Sequence, residues 1–153
     1  MLAFKEWATV VDALAQGEQS IILRKGGIVE ENDHFEVNSK DFLLLPTLFH
    51  QEDAMIKPSW VNKAPNTDYY LSTQTVILRY KAIVESQKRV DDWNELLLLD
   101  DQHVYQQKVV KERFDRWNDK GLYVLNVKIE MLPQEIFLDL EPQHMGCKSW
   151  IEI

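Results

Sequence analysis

Leu122-Tyr123-Val124-Leu125-Asn126-Val127-Lys128-Ile129-Glu130-Met131-Leu132 alternates without a break. Tyr123, Leu125, Val127, Ile129 and Met131 fall on one side, with Asn126, Lys128 and Glu130 on the other, which is the two-residue period of a strand. Thr75 to Glu85 repeats the pattern, setting Val76, Leu78, Tyr80, Ala82 and Val84 against Thr75, Arg79, Lys81 and Glu85.

Working outward, Ile21-Ile22-Leu23 is a β-branched run too short for a helix and reads as a buried strand. Ile28-Val29, the polar turn Glu30 to Asp33, and Phe35-Glu36-Val37 predict a hairpin. Phe42 to Leu45 is a further strand, closed by Pro46, which has no N–H for a sheet ladder. Ile136 to Leu138 and Trp150 to Ile153 are shorter strand candidates, the second suited to a sheet edge.

The helical segments are fewer. Phe4, Trp7, Ala8, Val11, Leu14 and Ala15 recur at helical spacing and predict a helix stopped by Gly17. Thr47 is a good N-cap for a helix over Leu48 to Lys57, ended by Pro58. Asp91 or Asp92 caps a short helix through Leu99, and Val110, Phe114 and Trp117 give the stripe of another, ending near Gly121. Ser59 to Thr67 reads as an irregular connection. Strands that follow one another as hairpin neighbours favour an α+β fold, a mainly antiparallel sheet with amphipathic helices packed on it. No repeat or low-complexity linker divides the chain, so residues 1–153 are expected to form a single domain.

Composition narrows the function classes. The chain has 153 residues, 45% of them hydrophobic and 27% charged, as in ordinary globular proteins. Its net charge of -8 repels polyanions at long range and disfavours non-specific binding to nucleic acid or anionic membrane. A lone cysteine, Cys147, permits no internal disulfide and no thiolate zinc site. With no signal-like start and no apolar run of spanning length, a reducing, cytoplasmic location is expected and no membrane partner.

One segment has the makings of a site. In Arg24-Lys25-Gly26-Gly27, two cations stand beside glycines whose backbone can approach a ligand closely and whose N–H groups form an anion-binding concavity. The plainer reading is a glycine hinge beside a solvated strand end. Neither the Walker spacing nor the dinucleotide fingerprint is present, so no nucleotide class or cofactor follows. Thr47 with His50 and Gln51 sits where a strand passes into a helix start, a place that presents free N–H groups to anions. A cap and a surface histidine is the bland alternative. Cys147 with His144 nearby reads as a small buried side chain rather than a nucleophilic pair. The acidic clusters Glu30-Glu31-Asp33 and Asp100-Asp101 match no metal motif and read as turn residues, so no metal ligand is assigned. Of the five tryptophans, Trp7 and Trp117 are expected in the core, and Trp60, in a polar loop, is the candidate for contact with a protein partner.

The strings Phe4-Lys5-Glu6-Trp7-Ala8, Leu23-Arg24-Lys25-Gly26-Gly27-Ile28 with Glu30, Pro46-Thr47 with His50-Gln51, and Gly146-Cys147-Lys148-Ser149-Trp150 together resemble a mainly bacterial family of uncharacterised proteins, a domain of unknown function. The resemblance implies that Arg24, Lys25, Gly26, Gly27, Glu30, Thr47, His50 and Gln51 belong to one pattern. It implies no activity or cofactor. The leading expectation is a polar pocket at strand ends that binds a small anion or a nucleic-acid phosphate, a chemistry with which hydrolysis is compatible. A non-catalytic protein-interaction module is the competing expectation.

Overall fold

The computed structural model describes residues 1–25, 40–48, 52–61, 68–146 and 148–153. Six strands, β1 (Leu2–Trp7), β2 (Ile21–Arg24), β3 (Asp41–Thr47), β4 (Thr75–Val90), β5 (Leu122–Asp139) and β6 (Trp150–Glu152), form one sheet in the order β2-β5-β4-β3-β1-β6. Among the described residues, only β1 and β3 pair in parallel, and the other four strand pairings are antiparallel. The sheet is therefore mixed and mainly antiparallel, as the alternation of its two longest strands predicts.

Those two strands are longer than their alternating cores. β4 runs on to Val90, and β5 takes in Ile136-Phe137-Leu138, which pair with Ile77 and its neighbours. Register shifts fall between Leu78 and Tyr80 and between Val84 and Ser86. Bulges of this kind bend a strand and increase its twist.

The bending brings the two edges of the sheet together. Arg24 on edge strand β2 lies 4.9 Å from the ring of Trp150 on edge strand β6, and 5.0 Å from the Phe4 ring on β1. Phe4, Phe42 and Trp150 pack ring to ring at 4.7 to 5.9 Å. The strands thus curl around a common interior.

Four α-helices lie among the described residues: α1 (Ala8–Ala15), α2 (Pro58–Val61), α3 (Trp93–Leu97) and α4 (Gln107–Asp115). α1 is buried from Thr9 through Leu14. An isolated helix of eight residues is marginal in water, so its stability comes from that enclosure. Gly17 ends it at φ 77°, the left-handed geometry expected of a stop. Asp92 caps α3 by accepting the Asn94 N–H at 2.9 Å, also as expected.

Three sequence expectations need correction. Residues 2–7 are a strand, not the first turns of a helix, because β3 on one side and β6 on the other pair with that backbone and outweigh a short helical spacing. Pro46 does not close β3 but lies within it, opposite Glu6. β4 pairs only with Asp41 to Leu43, so the N–H that Pro46 lacks has no ladder partner to lose on that side. The helix expected over Leu48 to Lys57 is reduced, among its described residues, to a 3-10 turn at Asp53–Met55, and Pro58 begins α2 instead of ending a helix. At the first helical position proline gives up an N–H that would be unpaired anyway. The expected hairpin over Ile28 to Val37 lies outside the described residues.

Two tryptophans exchange their expected places. Trp60 is only 7% exposed and belongs to the core, whereas Trp117 is 74% exposed. α4 stops at Asp115, and Trp117 takes φ 63°, so the stripe begun by Val110 and Phe114 is broken before it reaches residue 117.

Candidate functional site

A cavity of about 680 Å³ opens where β1 and β3 end side by side and α1 begins. Lys5 and Ala8 come from the β1–α1 junction, and Leu45, Pro46, Thr47 and Leu48 from the end of β3. Asp68, Tyr69, Tyr70, Ser72 and Thr73 close a second wall. Leu140, His144, Met145 and Gly146 supply the third. A parallel strand pair running into a helix start leaves N–H groups of the first helical turn near the mouth of such a hollow. The N-cap residue Trp7 makes no side-chain cap for α1, and its own N–H is taken by Glu6 Oε1 at 2.8 Å.

The polar groups on these walls are held in definite positions. Lys5 Nζ donates to the Gly146 carbonyl at 3.2 Å. The Tyr70 hydroxyl donates to the Pro46 carbonyl at 3.1 Å. Burial pushes the Tyr70 phenol above its ordinary pKa, opposed by hydrogen bonds with the Leu48 backbone and the Thr47 side chain. Asp68 accepts the Tyr70 N–H at 3.0 Å, and Ser72 Oγ accepts from Gln74 and Thr75, which fixes the turn into β4. The His144 ring is 7% exposed, and its Nδ1 accepts the Glu141 N–H at 3.0 Å.

Next to Lys5 along β1, Glu6 and Trp7 join a buried network. Glu6 is buried and accepts from the Tyr105 hydroxyl. Arg113 stacks 4.7 Å from the Tyr105 ring and 5.3 Å from Trp7. Burial works against the Arg113 charge, but Tyr105 and Glu6 outweigh it and raise its pKa. For Tyr105, burial and the Glu6 charge raise the pKa so that the phenol stays protonated and donating. These groups satisfy one another and anchor the strand that carries Lys5.

A family model described as Domain of unknown function (DUF1802) matches residues 3–153. The chain belongs to the DUF1802 family. None of the curated proteins compared with this DUF1802 chain matches it. Solved structures similar to it include ASCH from Zymomonas mobilis, at a TM-score of 0.55 and 9% identity, covering 99% of this chain and 86% of that one. A serine-to-alanine mutant of the same protein gives a TM-score of 0.56 at 9% identity, covering 99% and 87%. A tyrosine-to-phenylalanine mutant gives 0.53 at 9% identity, covering 99% and 88%. At this identity the likeness is one of fold.

Within the DUF1802 chain, the residues singled out from sequence go to different places. Thr47 lines the cavity. Arg24, 8% exposed, points into the curled sheet against Phe4 and Trp150. Lys25 turns the other way, donating to the carbonyls of Phe114 at 2.8 Å, Gly121 at 3.3 Å and Asp119. Burial lowers the Lys25 pKa, with Asp119 opposing. The structure therefore does not bring Arg24 and Lys25 to one hollow, and neither lines the cavity. Gly26, Gly27, Glu30, His50, Gln51 and Cys147 lie outside the described residues. Trp60, the residue that motivated a protein-contact surface, is buried.

Sequence reasoning missed Lys5 and Tyr70 and gave His144 no binding role. Lys5 was hidden by the helical reading of its segment, which assigns it to solvent. No local motif marks Tyr70, which is placed at the cavity by the turn into β4. Among the described residues no group of three or more His, Cys, Asp or Glu side chains is placed to hold a metal, and no helix is long and apolar enough to cross a membrane.

Proposed function

We propose that the cavity at the ends of β1 and β3 binds a small anionic ligand, a phosphate group being the favoured chemistry and a nucleotide or a nucleic-acid end its carrier. One observation supports this most: Lys5 and the mostly buried ring of His144 line the same hollow into which α1 begins. A cation, an imidazole donor and the positive end of a helix all favour negative charge. Leu45, Leu48, Leu140 and Met145 supply apolar wall for the body that carries the anion. The net charge of -8 argues against a long polyanion and for a short or terminal phosphate reached through a local site. Thr47 belongs to this proposed site. His50 and Gln51, three and four positions further along the chain, are assigned to it on sequence grounds alone. Hydrolysis is compatible with the reading but is not required by it.

The test is thermal unfolding of the protein in inorganic phosphate, nucleoside monophosphates and short oligonucleotides, each against chloride at matched ionic strength. A ligand at ~100 times its Kd adds about 2.7 kcal/mol to stability, enough to raise Tm by several degrees. The rise is expected to disappear in Lys5→Ala. No rise with any of these anions in the parent protein overturns the proposal.

A further inference from the structure

We infer that His144 is the hydrogen-bond donor that orients the ligand of this cavity, its ring held in a single neutral tautomer by the backbone of Glu141. The inference rests on the anion-site reading above and deepens it. Pro142–His144 forms a 3-10 turn directly after Glu141. Two reciprocal bonds clamp the turn: the His144 N–H donates to the Glu141 carbonyl at 2.8 Å, and the Glu141 N–H donates to His144 Nδ1 at 3.0 Å. A ring nitrogen that accepts an N–H bond carries no proton, so in neutral imidazole the proton sits on Nε2.

That Nε2–H has no hydrogen-bond partner among the described residues, although the residue is only 7% exposed and lines the cavity. Nε2 is not one of the fully buried atoms left without a partner, so it reaches the open cavity, where a bound ligand oxygen can accept its hydrogen bond. The Glu141 carboxylate is engaged by Gln143 at 2.7 Å rather than by the ring. Lys5 reaches the same wall through the Gly146 carbonyl, two residues past His144. Lys5 and His144 thus give the one cavity a cation and a donor, a face suited to an oxygen acceptor. Phosphate and carboxylate fit this face, and a ligand that offers only N–H groups does not.

Two substitutions separate the donor from the clamp. Asn places its Oδ1 where Nδ1 stands and keeps an acceptor for the Glu141 N–H, but has no donor at the Nε2 position. Gln reaches that position with an amide N–H₂. The first readout is the long-range ¹H–¹⁵N spectrum of the ligand-free protein, in which Nε2 of His144 is expected to be the protonated nitrogen. The second is inorganic phosphate titrated into folded parent, His144→Asn and His144→Gln. Phosphate affinity is expected to fall about tenfold or more in His144→Asn and to stay within about threefold of the parent in His144→Gln. Parent-like affinity in His144→Asn, or a proton on Nδ1, overturns the inference. Absence of phosphate binding by the parent overturns the anion site and the donor role together, while the tautomer is still read independently from the ligand-free spectrum.

Discussion

The guanidinium of Arg24 lies 4.9 Å from the ring of Trp150, although their strands are the two opposite edges of the sheet. This contact joins the edges across the interior. Its removal by Arg24→Ala is expected to cost roughly 2–4 kcal/mol, since a buried cation–π contact and the packing of a long side chain are lost together. A double-mutant cycle with Trp150→Ala, read by urea unfolding, is expected to show a coupling of about 0.5–2 kcal/mol. Additive effects would contradict direct contact.

Lys25 holds the segment after α4 by donating to the carbonyls of Phe114, Asp119 and Gly121. Arg89 holds the same segment as well, at 2.8 Å from Asp119. Lys25→Met keeps the stem and removes the donors, so its effect is expected to be local. Faster tryptic cleavage after Arg116 and Lys120 is the predicted outcome, with the global unfolding midpoint moving by about 1–2 kcal/mol at most. An unchanged cleavage rate would show that Arg89 alone suffices.

His103 is 4% exposed and its Nδ1 is buried without a hydrogen-bond partner. Burial pushes its pKa down to about 4, with Lys57 and Arg113 adding to the fall and Asp100 and Asp101 opposing it. The unfolded chain protonates this residue below pH ~6.5, the folded one only near 4, so acid favours unfolding across that window. Relative to His103→Gln, the parent is expected to lose roughly 3 kcal/mol between pH 7 and pH 4. Parallel stability curves for the two proteins would show that the buried ring does not resist protonation.

Trp117 combines 74% exposure with φ 63°, a left-handed backbone that a bulky side chain adopts at a cost. Trp117→Gly removes that cost and loses little packing, though it loosens the unfolded chain. A net gain of roughly 0.5 kcal/mol is expected in urea unfolding. A clear loss would mean that the exposed ring contributes to packing.

The sheet was legible because Thr75 to Glu85 and Leu122 to Leu132 carry a period that only half-buried strands require. The edge position of Trp150 to Glu152 was legible for a similar reason, being short and terminal. What local pattern could not show was pairing. Phe4 and Trp7 keep helical spacing with Ala8 and Val11, yet β3 and β6 capture the first of these residues as strand and only Ala8 onward winds. Arg24 and Lys25 read as one basic pair, but β2 ends at Arg24, and Lys25, past the strand end, bonds to the carbonyls of Phe114, Asp119 and Gly121 instead. Thr47 lines the cavity because it ends β3, and a strand end marked by Pro46-Thr47 is a signal that a short window does contain. Lys5, Tyr70 and His144 come from β1, the turn before β4 and the turn after β5 to line one cavity, and no short window of sequence contains that.

Occupation of the hollow lined by Lys5 and His144 by an anion is tested most directly in a crystal of the protein soaked in phosphate. Tetrahedral density bonded to Lys5 Nζ and His144 Nε2 near the first turn of α1 is the predicted result. A cavity that stays free of the anion at saturating phosphate, with both side chains placed as in the untreated crystal, would contradict it.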